Sequence, residues 1–117
     1  MIKFTIPFKL PSLNEHIKKV ANNRYGGGKY KKDIENQIIK IVCQLEKIDK
    51  PVYIKFTWYE QTTRRDKDNV AFSKKYILDA LQKAGVLPND NNQYVKGFED
   101  RFVYKQGDKV EVEIFEI

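Results

Sequence analysis

The chain has 117 residues, 41% of them hydrophobic, which supports one domain with one modest core. A single cysteine, Cys43, and a single histidine, His16, exclude an internal disulfide framework, a Cys/His zinc site and chemistry built on several histidines. The formal net charge of +6 favours a polyanionic partner, and no apolar run approaches the ~18 residues of a membrane span.

Residues 2–8 alternate apolar and polar side chains and predict a first strand, ended by Pro7 and Pro11. The opening segment is too short and mixed for a signal peptide, so a soluble, cytoplasmic protein is expected. A polar connection follows from Ser12. Between Asn22 and Lys29 the run Gly26-Gly27-Gly28 and the lack of apolar periodicity predict a mobile loop. From Lys31 to Lys47, Ile34, Ile38, Ile41, Val42 and Leu45 recur at helical spacing. Pro51 opens a strand from Val52 to Tyr59, with Val52, Ile54, Phe56 and Trp58 on one face. Gln61 to Asn69 is polar and turn-like. A helix is then expected from Val70 to Ala84, capped by Asp68 and stopped by Gly85. After the loop Val86 to Asn92, two strands are expected over 94–104 and 110–117, joined at Gln106-Gly107-Asp108. The order β-α-β-α-β-β predicts an α/β (α+β) single domain over 1–117, a mixed sheet flanked by helices.

Positive charge is unevenly placed. Lys18, Lys19, Arg24, Lys29, Lys31 and Lys32 gather around the glycine run with Tyr25 and Tyr30, and Arg64 and Arg65 form a second focus. A segment of this kind tracks phosphates while its tyrosines stack on unpaired bases. The plain alternative is a solvated loop.

Acidic residues carry the chemistry. Arg64-Arg65-Asp66-Lys67-Asp68-Asn69 is followed, beyond the predicted helix, by Asp90. With few soft ligands in the chain, a bound metal would be a hard cation held by oxygen, Mg²⁺ or Mn²⁺. Two carboxylates separated by one residue converge on such an ion where the chain curves, and the loop after the helix can return a third. Each has a bland reading as well: Asp68 capping the helix, Arg65 pairing with Asp66 for under about 1 kcal/mol, and Asp90 in an Asx-turn. An EF-hand does not fit, since its further ligand position and turn glycine are missing. Spacing alone leaves both readings open.

Three blocks resemble the RusA family of Holliday junction resolvases of bacteria and prophages. They are Arg65-Asp66-Lys67-Asp68-Asn69, then Leu78-Asp79-Ala80-Leu81 running on to Ala84-Gly85-Val86, then Asn89-Asp90. Pro11-Ser12-Leu13-Asn14 is similar to the family's P-S-x-N element, so the likeness spans essentially the whole chain. The resemblance implies a RusA-like fold and a homodimeric endonuclease of DNA recombination and repair. Such an enzyme nicks four-way junctions with Mg²⁺, or Mn²⁺ in its place, inside a bacterial or phage-infected cell. Metal-binding catalytic aspartates map onto Asp66, Asp68 and Asp90, with Asn89 where many relatives carry the first of two aspartates. A functional lysine one turn before the aspartate of D-A-L maps onto Lys75, with Lys74 beside it.

On this reading Arg24, Lys29, Lys31, Lys32, Arg64, Arg65 and Lys74 contact DNA. A rival is a non-catalytic, structure-selective DNA-binding protein of the same fold. A sugar-nucleotide transferase is excluded by length and by the lack of a phosphate-cradling loop, since Gly26-Gly27-Gly28 has no P-loop spacing.

Overall fold

A computed structural model describes residues 1–22 and 26–117. In chain order its elements are β1 (Ile2–Ile6), α1 (Leu13–Asn22), α2 (Gly26–Val42), β2 (Val52–Glu60), α3 (Lys67–Ala71), α4 (Lys74–Lys83), β3 (Val95–Tyr104) and β4 (Lys109–Glu116). The strands form one mixed sheet in the order β1-β4-β2-β3. β4 runs antiparallel to β1 and β2, whereas β2 and β3 are parallel and need the α3–α4 crossover between them.

Period-two patterning decides which face is covered. Phe4 pairs with Val112 and Val112 with Phe56; Ile6 pairs with Val110 and Val110 with Trp58. These side chains are buried, and they meet Ile38 and Val42 of α2 and Tyr76, Ile77, Ala80 and Leu81 of α4. At roughly 25 cal/mol per Å² of apolar surface removed from water, this single face is the main stabilising layer. The mixed sheet and helical cover expected from the sequence are both present.

Three local expectations are corrected. The polar connection after Ser12 is helix α1. Its start is a capping box, Ser12-Leu13-Asn14-Glu15: the Glu15 amide donates to Ser12 Oγ at 3.2 Å, and Ser12 Oγ donates to Glu15 Oε1 at 3.3 Å. The glycine run, expected in a loop, opens α2 at Gly26. The glycine penalty of about 1 kcal/mol applies to a helix interior, and these residues open the helix instead. Downstream, the helix ends at Val42, short of the Lys47 expected.

The helix expected from Val70 to Ala84 is two, α3 and α4, and α3 is capped by Asp66, not Asp68. At the joint the bonds tighten to i→i−3, from Ser73 to Val70 and from Tyr76 to Ser73. α4 stops as foreseen. Gly85 takes φ +76°, its amide donates to Gln82, the Val86 amide donates to Leu81, and Val86 and Leu81 are both buried.

Candidate active site

β2 ends at Glu60, which is only 5% exposed. Arg65, five residues on, closes over it: Nε donates to Oε1 at 2.7 Å and Nη2 to Oε2 at 2.8 Å. Its Nη1 donates to the Leu10 carbonyl at 2.8 Å and to Glu15 Oε1 at 3.2 Å. The guanidinium thus ties the end of β2 to the approach to α1 and to the capping box. Ser73 Oγ, also buried, donates to the Pro11 carbonyl. The Pro11-Ser12 segment, Arg65 and the α3–α4 joint are therefore fastened at one place. Arg65 was expected to meet DNA; its donors are used inward.

That anchor sets where the next residues begin. Asp66 is the α3 N-cap in extended backbone, φ −67° and ψ 150°, without a side-chain capping bond. Asp68 lies in the first turn of α3. Both are exposed, and among the described residues neither carboxylate has an ion-pair partner. Lys67 between them turns away, its ammonium 5.7 Å from the Phe102 ring centroid and 5.3 Å from that of Tyr104.

Asp90 belongs to a different cluster. Lys75 Nζ lies 3.1 Å from Asp79 Oδ1 and 3.2 Å from Asp90 Oδ2. Asp79 is shared in turn, since Lys31 Nζ is 2.6 Å from its Oδ2 and 2.6 Å from Glu35 Oε2. Lys83 reaches the other oxygen of Glu35 at 2.6 Å, and Glu35 itself is buried. Burial raises the Asp79 pKa, but the hydrogen bonds and charges of Lys31 and Lys75 outweigh it and hold the carboxyl below its ordinary value. The Lys75 ammonium is held above the usual lysine value, first by its bond to Asp79, with Asp90 adding. Lys74 points elsewhere, 2.6 Å from Asp100 Oδ2, while Trp58 Nε1 donates to Asp100 Oδ1 at 2.9 Å.

Lys75 and Asp90 are thus brought together, and Asp66 and Asp68 share one helix start. The three aspartates are not gathered as a metal group: among the described residues no three His, Cys, Asp or Glu side chains are placed to hold one ion. Their donor chemistry suits Mg²⁺ or Mn²⁺, but the arrangement with Asp90 against an ammonium does not fit one as it stands. Of the expected DNA contacts, Lys29, Lys32 and Arg64 are exposed, Lys31 and Lys74 are engaged with carboxylates, and Arg24 lies outside the described residues.

Reading the sequence missed Glu15, Glu35, Glu60 and Asp100. Two of them left a signal: Glu15 completes an S-x-x-E box, and Glu35 interrupts the buried stripe of α2 between Ile34 and Ile38. Asp100 gave none, because its partners come from β2 and α4.

The chain matches the family model described as endodeoxyribonuclease RusA over residues 2–115. It belongs to the RusA family of endodeoxyribonucleases. Among curated proteins, none matches the chain. In this RusA chain the Arg65 clamp directly precedes Asp66 and Asp68 in the link between β2 and the crossover helices. No helix of the described residues is long and apolar enough to cross a membrane.

Proposed function

We propose that this RusA-family protein is a metal-dependent endonuclease that nicks branched DNA, most specifically four-way junctions, and that it acts as a homodimer. The observation that carries the reading is the pair Asp66 and Asp68, exposed and unpaired among the described residues, behind an anchor as costly as the buried Arg65–Glu60 bridge. Exposed carboxylates without a cation weaken phosphate binding, so on a surface that meets DNA their charge calls for a cation to offset it. Asp66 and Asp68 are the proposed ligands of Mg²⁺ or Mn²⁺, with Asp90 as a third ligand for which Lys75 competes. If bound by these carboxylates, such an ion would supply a water of lowered pKa and a polarising charge for the phosphoryl group. The protein's own part is to hold the two carboxylates at the start of α3 and to place the Lys75 cation beside Asp90.

The second reading, structure-selective DNA binding without cleavage, is favoured by one observation, the engagement of Asp90 by Lys75. A junction assay separates the two. Incubation of a labelled four-way junction with Mg²⁺ is expected to give paired nicks, with none in chelator and none on linear duplex. Tight junction binding without nicks in either Mg²⁺ or Mn²⁺ would leave only the second reading.

A further inference from the structure

One residue row of the sheet runs from Ile2 through Ile114 and Ile54 to Phe98. Ile54 and Ile114 are buried, whereas Phe98, on the edge strand β3, is 51% exposed. The ring ends this row at the open edge of the sheet. The Lys74 ammonium sits 3.9 Å from its centroid, and Lys74 is fixed there by Asp100 at 2.6 Å. The next residue, Lys75, holds Asp90. Further along the same face of β3, Phe102 and Tyr104 lie beneath Lys67, which stands between Asp66 and Asp68. The aromatic strip on β3 therefore begins beside Lys74, whose neighbour binds Asp90, and ends beneath the helix start that carries Asp66 and Asp68.

We propose that Phe98 is a stacking platform for an unpaired base of branched DNA, holding the splayed strand along β3 between the two acidic centres. The inference rests on branched DNA being the substrate. Every base offers a π face, so an exposed ring takes any sequence, and Lys67, which has no carboxylate partner among the described residues, supplies charge for the backbone at the far end of the strip. A fully paired duplex keeps its bases stacked inside and gains nothing from Phe98. The residue acts on structure, not on sequence.

The test is equilibrium binding in chelator of a four-way junction, a single strand and a blunt duplex to the wild-type protein, Phe98→Ala and Phe98→Trp. Phe98→Ala is expected to bind the junction and the single strand about tenfold more weakly and the duplex unchanged. Phe98→Trp should restore binding, and its exposed indole should be quenched by the junction while buried Trp58 is not. Equal weakening on all three DNAs, or none, overturns the platform. So does a change of sedimentation in Phe98→Ala, which would make the ring a contact between copies of the chain. A wild-type protein that binds junctions without nicking them would sink the endonuclease reading and leave the stacking result standing.

Discussion

The Lys75 ammonium lies between Asp79 and Asp90, 3.1 Å from one carboxylate and 3.2 Å from the other. A single side chain thereby joins α4 to the loop that follows it. This bridge connects a buried charge network, reaching Glu35 through Lys31, to the aspartate proposed as a metal ligand.

If Lys75 competes with a cation for Asp90, removing it should free the carboxylate. Lys75→Met is expected to bind Mn²⁺ several-fold more tightly by calorimetry, with the Asp90→Asn change abolishing that gain. Unchanged affinity would place Asp90 outside the metal site. The lysine is largely exposed, so the cost in stability should stay within about 0.5 kcal/mol.

Asp66 and Asp68 should separate activity from stability. Neither forms a capping bond or an ion pair among the described residues, so Asp68→Asn or Asp66→Asn is expected to shift unfolding by less than about 1 kcal/mol. Junction cleavage should be lost with binding retained. Cleavage by Asp68→Asn at the wild-type rate would refute the assignment.

Arg65 should behave in the opposite way. Arg65→Ala leaves Glu60 buried without its partner and is expected to cost about 3 kcal/mol in urea unfolding. Arg65→Lys should recover only part of this, since an ammonium cannot match both carboxylate oxygens. A variant as stable as wild type but poor at DNA binding would show that the guanidinium serves phosphate instead.

Tyr76 gives a pH signature at the alkaline end. It is fully buried, its hydroxyl is 2.7 Å from His16 Nδ1, and burial, followed by the charges of Tyr30, Glu35 and Glu15, pushes its pKa up to about 12. An unfolded chain ionises this phenol nearer 10, so between about pH 10 and 12 the folded state binds more protons and stability falls as pH rises. Stability curves should decline across that window and decline less in Tyr76→Phe. Parallel curves for the two proteins would contradict the shift.

Elements with strong local periodicity were legible in the sequence. β2 places Val52, Ile54, Phe56 and Trp58 at every second position, so this buried face was readable residue by residue although Thr57 opposite is buried too, and Gly85 marked a helix end that only a residue tolerant of positive φ fits comfortably. Less legible was α1, a ten-residue helix whose apolar Ile17 and Val20 are exposed and mark no buried face. The break at Ser73 was hidden for another reason: its hydroxyl is used by Pro11, a residue distant in the chain.

Sequence by itself determined the covered sheet face, the acidic residue types and the order of the blocks that place the chain among RusA endodeoxyribonucleases, because periodicity and spacing are local properties of a chain. Only the tertiary structure decided which charges are free to act. Arg65, Lys31 and Lys74 look alike in a basic sequence, yet each is bound to a carboxylate contributed from elsewhere in the fold or one turn away. A charge is available to DNA or metal only if no nearer partner neutralises it, and nearness is set by packing.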